Sequence, residues 1–328
     1  MKAVLLTDFG SAENLYIGET AIPEVKQGEV LVKIKATALN RADIGQRNGV
    51  YPPAPGESEI LGLEMSGEVV QLGEGVTSVS IGDRVCGLLP GGGYAQYVNI
   101  HEGLLMKIPD NLSYEQAAGI PETFLTTYQS LFSLGQVKAG QTVLVHAGAS
   151  GIGTSAIQLL RAVGATTLVT AGSEEKIEYC LELGATAGWN YKKGPFLPFV
   201  KEQTGGKGVD IILDCIGAPY FEQNILSLIP DGKLVIIGSL GEKVLHDFDL
   251  GSLLLKRFQL LRTTLRSRTV ERKIELTKEL MELAGEHFAS GKIVPVIDSV
   301  FDWTDVQKAH ERMESSQNIG KIILRITD

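Results

Sequence analysis

The feature that most constrains the fold is an apolar run followed at once by a glycine-rich turn and an amphipathic stretch. The three pieces are "TVLVHA" (142–147), "GASGIG" (148–153) and "TSAIQLLRAVG" (154–164). A short continuous apolar run is typical of a buried strand, and the stretch after the turn has helical spacing. Such a βα turn is where a dinucleotide's pyrophosphate meets a helix N-terminus. The pattern predicts dinucleotide or other phosphate binding, with a merely tight turn as the alternative.

Three residues of this turn have separate expected roles. Gly148 is expected to allow the tight turn, and Gly153 to let the helix pack close to the sheet. The G-x-G-x-x-G frame puts Ser150 where the second glycine belongs. Because serine is small and its hydroxyl donates a hydrogen bond, Ser150 modifies a phosphate site without abolishing it.

The residue about twenty positions beyond the turn distinguishes NAD from NADP. NAD sites carry an Asp or Glu there, which binds the ribose hydroxyls, whereas this chain has Gly172 in "LVTAGSEEK". Because the chain has no carboxylate at that position, nothing there repels a 2′-phosphate. Lys176 lies one helical turn inside the next helix. The pattern favours NADP(H). The alternative is that Gly172 and Ser173 only end a strand and cap a helix, with Lys176 a solvated lysine.

The sequence changes character after Pro121. Short apolar runs then alternate with helical stretches, ending in a predicted helix over 250–258 and a strand over 259–265. Before that point "EVLVKIKATAL" (29–39) alternates as a half-buried strand does, among turns dense in glycine and proline. The alternation after Pro121 predicts a doubly wound parallel sheet, and the turn-rich region before it predicts short strands in a compact barrel-like fold.

The chain is expected to return to its first domain at its end. Residues 270–289 have the pattern of a long helix, and two strand patterns flank the helical stretch "TDVQKAHERME" (304–314). The predicted domains are 1–121 with 268–328, and 122–267. The predicted fold class is α/β.

Composition argues against several classes of function. The 328 residues carry a formal net charge of −9, which disfavours nucleic acid or an anionic membrane as the main partner. No apolar run approaches the ~18 residues of a membrane span. Cys86, Cys180 and Cys215 are odd in number and widely spaced, which favours a reduced, cytoplasmic chain.

Two polar side chains are candidates for the substrate site, both within "ALNRADIGQRNGVYPPAPG" (38–56). Asn40 offers an amide donor. Tyr51 offers a phenol in a proline-stiffened loop, and it could donate to a carbonyl oxygen or stack on an aromatic substrate. The alternatives are a turn asparagine and an aromatic ring packed over prolines.

Motifs along the whole chain carry a family resemblance. They include "ENLYIGE", "ALNRAD", "ILGLEMSGEV", "LLPGGGYAQYV", "QAAGIPETFLT", "HAGASGIGTSAIQL", "ILDCIG" and "NIGKIIL". In these the sequence resembles the zinc-free, zeta-crystallin-like quinone oxidoreductases of the medium-chain dehydrogenase/reductase superfamily, and most of all their tumour-suppressor-inducible animal branch. The resemblance implies a GroES-like barrel domain and a Rossmann domain, with an active site in the cleft between them. It also implies NADPH as hydride donor, a quinone as substrate, and a homodimer joined along Rossmann sheet edges.

The resemblance further implies a set of cofactor-binding residues. They are Ser150, Gly151 and Ile152 at the pyrophosphate; Gly172, Ser173, Lys176 and Tyr191 at the 2′-phosphate; Thr126, Ser239, Leu240, Thr264 and Leu265 towards the nicotinamide; and Asn318 near the C-terminal strand. For Thr126 the alternative is a hydroxyl bonded to its own helix.

The zinc ligands of the superfamily are missing. Zinc-dependent members carry a cysteine near the position of Asn40, a G-H-E triplet where this chain has Gly62-Leu63-Glu64, and a lobe of four cysteines. The five histidines show no ligand spacing. Zinc needs thiolate or imidazole ligands, so we expect no metal.

Three functions remain open at this point. The first is NADPH-dependent quinone reduction. The second is reduction of an α,β-unsaturated carbonyl compound or thioester, which uses the same hydride but needs a proton donor for the α carbon. The third is an NADPH-binding structural or RNA-associated protein, against which the acidic balance counts.

Overall fold

The computed structural model describes residues 1–246, 251 and 256–327. Its strands, in chain order, are β1 (Lys2–Leu6), β2 (Leu15–Glu19), β3 (Glu29–Ala38), β4 (Glu64–Leu72), β5 (Arg84–Leu88), β6 (Tyr97–His101), β7 (Leu105–Lys107), β8 (Thr142–Val145), β9 (Thr166–Ala171), β10 (Ala187–Asn190), β11 (Val209–Asp214), β12 (Leu228–Ile236), β13 (Phe258–Arg262), β14 (Ile297–Asp302) and β15 (Lys321–Arg325). Its α-helices are α1 (Arg41–Arg47), α2 (Tyr114–Ala118), α3 (Pro121–Thr127), α4 (Gly151–Ala162), α5 (Glu174–Leu183), α6 (Leu197–Gln203), α7 (Phe221–Ser227), α8 (Val270–Ala289) and α9 (Val306–Glu314). The helix predicted over 250–258 falls largely on residues outside this description.

The chain divides into two compact units. The first comprises Met1–Leu125 and Arg266–Asp328, and the second comprises Thr126–Leu265. The first is rich in antiparallel strands, and the second alternates strands with helices. The predicted α/β class, with a GroES-like domain and a Rossmann domain, is confirmed.

The second unit is built on a six-stranded sheet in the order β10-β9-β8-β11-β12-β13. Every neighbouring pair in it is parallel. The first strand of the unit, β8, therefore lies at the centre, and the chain goes first to one side and then to the other. Ligands of such sheets bind beyond the carboxyl ends of the strands, at the point where the order reverses. Here that point is the gap between β8 and β11.

A buried polar chain ties the carboxyl ends of these strands together. Both ring nitrogens of His146 form hydrogen bonds. Nδ1 lies 2.9 Å from the Thr170 hydroxyl, and Nε2 lies 2.7 Å from Oδ1 of Asn224. The Asn224 amide donates to Asp214, so its oxygen accepts from His146 and the Nε2–H tautomer follows. Burial lowers the pKa of His146, which keeps the ring neutral. This histidine therefore fixes strand ends and has no nitrogen left for a metal.

The first unit is organised around the long strand β3. Within a seven-stranded sheet it pairs with β4, β6 and β15, all antiparallel. The sheet path runs β14-β15-β3-β4-β5-β7, and β1 and β2 form a separate hairpin. The core between these elements is fully buried, with Val32, Met65, Tyr94 and Leu324 at 0% exposure. Because β15 pairs with β3, strands that are distant in sequence complete one sheet.

The two helical patterns of the C-terminal region are confirmed. The long helix predicted over 270–289 is α8, and "TDVQKAHERME" contains α9. Near residue 128 the structure differs from a simple α-helix. After α3 the chain forms a π-helix over Tyr128–Leu134, where the Gly135 N–H donates to the Ser130 carbonyl at 2.9 Å. No helix among the described residues is long and apolar enough to cross a membrane.

Candidate active site

The glycine-rich turn has close approaches at two of its glycines, and its left-handed residue is not a glycine. The left-handed backbone of the turn is at Ala147, with φ of +54°, and not at Gly148. A Cβ on Gly148 would lie 2.7 Å from Cβ of Val169 in β9. Gly148 is therefore required because the turn passes close to the neighbouring strand. A Cβ on Gly153 would collide with the Gly148 carbonyl, so Gly153 brings α4 against the turn.

Ser150 is the N-cap of α4. Its hydroxyl oxygen accepts from the Gly153 N–H at 3.0 Å, which leaves the hydroxyl hydrogen able to donate to a ligand. Gly151 and Ile152 are the first helical residues, whose N–H groups have no acceptor within the helix. These donors and the positive end of the helix dipole fit a pyrophosphate.

The four residues predicted to hold an adenosine 2′-phosphate lie around the end of β9. A Cβ on Gly172 would lie 2.6 Å from the Tyr191 hydroxyl, so the phenol lies directly over this glycine. Ser173 caps α5 by accepting from the Lys176 N–H at 3.3 Å. The structure thus brings Gly172, Ser173, Lys176 and Tyr191 to one strand end.

The Glu174 carboxylate, on the first turn of α5, is turned towards the chain itself. Glu174 accepts from Lys193 and from Asn190, each at 2.8 Å. These bonds hold the pKa of Glu174 below its usual value, so it stays ionised and engaged in this surface cluster. No carboxylate occupies position 172, where an NAD site would carry one.

The residues expected near the nicotinamide come from several separate segments of the chain. Thr126 is 8% exposed, and its hydroxyl bonds to no other residue in the described ranges, unlike Thr123, which donates to Gly119 at 2.9 Å. The Leu240 N–H donates to the Cys215 carbonyl at 2.9 Å, which places Ser239 and Leu240 beyond β11. Thr264 and Leu265 follow β13 by a few residues. Asn318 lies in the first unit, where its amide donates to Gly320.

Asn40 lies in the first unit and is fully engaged in a hydrogen-bond network. Its amide donates to Glu64 Oε1 at 2.8 Å and to the Ala38 carbonyl at 3.2 Å. Its side-chain oxygen accepts from Lys321 at 2.7 Å. Asp43 accepts from the Asn40 N–H at 2.7 Å. Both amide hydrogens are therefore already committed, which gives Asn40 the geometry of a positioning residue.

The centre of this network is a buried ion pair between β4 and β15. Lys321 Nζ lies 2.8 Å from Glu64 Oε1, and the two side chains are 5% and 0% exposed. Lys321 also donates to the Leu39 carbonyl at 2.7 Å. The second oxygen of Glu64 accepts from the Glu122 N–H at 2.8 Å. Each charge thus has partners in several directions, which is the condition for keeping an ion pair buried.

Tyr51 is held by an arginine above its ring. The Arg266 guanidinium lies 5.2 Å from the ring centroid and donates to the Tyr51 carbonyl at 3.3 Å. Arg266 also donates to Gln46 Oε1 and to the Pro90 carbonyl. Burial, followed by the Glu122 carboxylate, raises the pKa of the Tyr51 phenol. Its hydroxyl bonds to no residue within the described chain, so it remains a protonated donor.

Sequence reasoning did not find Glu64, Glu122, Arg266 and Lys321 as parts of this site. One signal was available. Glu64 and Lys321 are single charges within otherwise apolar strand patterns, "ILGLEM" and "IGKIIL". A charge in such a run must be paired when buried. The identity of its partner was not readable, because the two strands are distant in sequence.

The described residues contain no group of three or more His, Cys, Asp or Glu side chains able to hold a metal ion. His310 illustrates why. Its ring nitrogens contact Arg47 and Tyr94, each at 3.3 Å. Burial and the Arg47 charge lower the pKa of His310 to about 3. It is a neutral packing residue.

Comparison with known proteins agrees with both units. The family model of the alcohol dehydrogenase GroES-like domain matches residues 26–110, and that of the zinc-binding dehydrogenases matches residues 151–283. The human quinone oxidoreductase is 31% identical over 327 residues, covering 99% of this chain and 97% of that protein.

Two solved structures bear on the chemistry. The Escherichia coli quinone oxidoreductase, solved in complex with NADPH, is 30% identical with a TM-score of 0.87, covering 99% of this chain and 100% of that chain. The CurK enoyl reductase is 26% identical with a TM-score of 0.88, covering 99% of each chain.

A GroES-like domain together with a Rossmann domain defines the medium-chain dehydrogenase/reductases. The chain belongs to the quinone oxidoreductase-like family of that superfamily. The resemblance to the quinone oxidoreductases of the medium-chain dehydrogenase/reductase superfamily is confirmed.

The buried ion pair makes a prediction about stability. Lys321→Met should lower the free energy of unfolding by about 3–5 kcal/mol, because it leaves the Glu64 charge buried without its partner. Urea denaturation followed by circular dichroism measures the change. The double variant Glu64→Gln with Lys321→Met should recover part of the loss.

Lys308→Met is the matched control. Lys308 pairs with Asp305 at 2.7 Å but is 69% exposed, so its removal should change stability by less than about 1 kcal/mol. If Lys321→Met is as mild as this control, the pair does not hold the site together.

Proposed function

We propose that this protein is an NADPH-dependent reductase of quinones that works without zinc. The observation that carries the proposal is the Tyr51 phenol. It is fixed by Arg266 and protonated, and its hydroxyl makes no hydrogen bond to the rest of the described chain. Such a donor suits a carbonyl oxygen that gains negative charge during reduction. The likeness to quinone oxidoreductases supports the same substrate class.

NADPH, when bound, supplies a hydride to the substrate. Ser150, Gly151 and Ile152 would hold the pyrophosphate at the start of α4, and Gly172, Ser173, Lys176 and Tyr191 would hold the 2′-phosphate. Thr126, Ser239, Leu240, Thr264 and Leu265 are proposed to line the nicotinamide end, with Asn318 as a further contact. The closely packed glycines and the contact between Gly172 and Tyr191 support this fit.

In this proposal Tyr51 orients the substrate by donating to its carbonyl oxygen. Asn40 acts indirectly, because its amide is engaged with Glu64 and Lys321. The charge of Lys321 lies against Asn40, where zinc-dependent relatives carry a cysteine ligand. An ammonium at this point disfavours a second cation there by repulsion, which supports chemistry without a metal.

The proposal extends to assembly and location. Strand β13 is the edge of the Rossmann sheet, and Leu260 in it is 52% exposed. An unprotected edge of this kind pairs readily with another strand, so we propose a homodimer formed along β13. The three cysteines form no disulfide, which agrees with a reducing compartment such as the cytoplasm.

A second candidate is reduction of α,β-unsaturated carbonyl compounds, favoured by the likeness to an enoyl reductase. A substrate panel separates the two. We expect quinones to be reduced with a higher kcat/KM than enones of similar size. The reverse order would assign the protein to the enone class.

Tyr51→Phe tests the proposed donor. It should lower kcat/KM for quinones by about fivefold, because a net hydrogen bond contributes roughly 0.5–1.5 kcal/mol. NADPH affinity should stay unchanged. Tyr16→Phe, on an exposed strand residue, is the control. Parent-like kcat/KM in Tyr51→Phe and Tyr51→Ala on every quinone would make Tyr51 a packing residue.

Cofactor preference is tested at Gly172, with the steric effect separated from the charge. Gly172→Ala displaces the Tyr191 hydroxyl without adding charge, and should weaken NADPH binding by about fivefold. Gly172→Asp should weaken it further by repulsion, and should strengthen NADH binding through the ribose hydroxyls. Fluorescence titration measures both cofactors.

Lys176→Ala completes the cofactor test. It should weaken NADPH binding by about ten- to a hundredfold, because a charge-assisted hydrogen bond contributes roughly 1.5–3 kcal/mol, and it should leave NADH unaffected. Equal affinity of the parent protein for the two cofactors would refute this assignment.

Metal independence is tested by chelation. Dialysis against a strong chelator should leave the quinone reductase rate unchanged, and added zinc should not raise it. The reason is that Leu63 and Asn40 stand where a histidine and a cysteine would be needed. A rate that is lost on dialysis and returns with zinc would contradict the proposal.

A further inference from the structure

Glu122 is an ionisable residue beside the candidate site to which no role has yet been given. It is the second residue of α3 and is half-buried. Its own N–H donates to Glu64 Oε2 at 2.8 Å, which anchors this residue beside the buried ion pair. Its carboxyl group makes no hydrogen bond to any residue in the described ranges. The backbone is therefore fixed while the acid group stays available.

The surroundings of Glu122 keep it protonated at neutral pH. Burial raises the pKa of its carboxyl to about 8, and the nearby charges of Glu64 and Asp43 add to the rise. The charges of Lys321 and Lys273 act to lower this pKa, but the net shift is upward. Glu122 is thus a neutral acid carrying a proton at pH 7, and its partial exposure allows water to replace that proton.

The acid is also electrostatically coupled to the proposed substrate donor. After burial, the charge of Glu122 is the largest cause that raises the pKa of Tyr51. Arg266 holds the Tyr51 ring in place from above. A carbonyl oxygen bonded to the Tyr51 hydroxyl would therefore lie in the neighbourhood of a protonated carboxyl group.

The other ionisable groups around Glu122 are already engaged. Glu64 and Lys321 bond to each other and to further neighbours. Asp43 accepts from two backbone N–H groups. Lys273 donates to a backbone carbonyl at 2.9 Å. Among these five groups, only Glu122 combines a transferable proton with a carboxyl group that is not hydrogen-bonded.

We propose that Glu122 is the acid that protonates the substrate during its reduction. The proposal rests on the proposed function and adds a catalytic residue to it. The residues that face Glu122 are Tyr51 from the loop after α1, Asp43 from α1, Glu64 from β4, Lys273 from α8 and Lys321 from β15.

The proton balance explains why such an acid is needed. A quinone that accepts a hydride gains two electrons and one proton, and becomes a hydroquinone monoanion. The O–H bond of Glu122 then breaks as an O–H bond forms on the product, and the carboxylate left behind takes a proton from water. For an enone the same proton would go to the α carbon of the enolate. One hydride and one proton complete either reduction.

The first test is the pH dependence of Glu122→Gln, which keeps the shape and removes the proton. The parent's kcat should fall as pH rises through about 8, because Glu122 is then deprotonated. Glu122→Gln should have a kcat about a hundredfold lower, without that fall. NADPH affinity should be unchanged. Glu115→Gln is the control: it removes a carboxylate of the neighbouring helix α2 that pairs with Arg325 in β15. It should behave as the parent does.

A second test needs no activity. The folded state keeps the Glu122 proton up to about pH 8, whereas the unfolded chain releases it near its ordinary pKa of 4.5. The folded state then holds more protons, so stability falls as pH rises between these values. The melting temperature of the parent should therefore drop relative to that of Glu122→Gln as pH rises from about 5 to 8.

The outcomes separate the two levels of the proposal. Parent-like kcat in Glu122→Gln, or an alkaline fall that persists in it, would overturn the role of Glu122 while leaving quinone reduction in place. A parent that reduces neither quinones nor enones would overturn the proposed function itself. A melting temperature whose pH dependence is the same in parent and variant would show that Glu122 is ionised at neutral pH, and would also overturn the inference.

Discussion

The buried ion pair between Glu64 and Lys321 is the interaction on which the candidate site depends. It joins β4 to the C-terminal strand β15, and both charges are almost completely removed from solvent. Desolvation of this kind is tolerated only when each charge has well-placed partners. Those partners are Asn40, the Leu39 carbonyl and the Glu122 N–H. The ion pair therefore sets the position of the residues around it.

In the second unit, the close approach of backbone segments to their neighbours is the organising constraint. Glycines at the carboxyl ends of β8 and β9 stand where a Cβ would meet a neighbouring strand, the turn itself or the Tyr191 hydroxyl. Main-chain donors after β8 and one phenol at the end of β9 are thus brought to the carboxyl-end edge of the parallel sheet. This edge is where doubly wound sheets bind their ligands. The function assigned to it depends on small residues as much as on polar ones.

Local patterns predicted much of this in advance. The helix over 270–289 and the parallel unit follow from spacing within short segments, where each residue's neighbours are known from the sequence. The ligand-binding roles of Ser150 and Gly172 stay predictions. Gly148 was expected to allow the tight turn, but the left-handed conformation in this turn belongs to Ala147. Gly148 is needed for space, because a Cβ at this position would meet Val169 in β9.

The sequence by itself determined the fold class, the dinucleotide turn and the absence of a carboxylate at position 172. These properties depend on hydrophobic period, glycine content and residue identity, all of which are local. The tertiary structure decided which charges meet. It engaged the amide of Asn40, paired Glu64 with Lys321 and buried Glu122, which raises the pKa of that carboxyl. The physical reason is that burial and electrostatic coupling depend on distances between segments that are far apart in sequence.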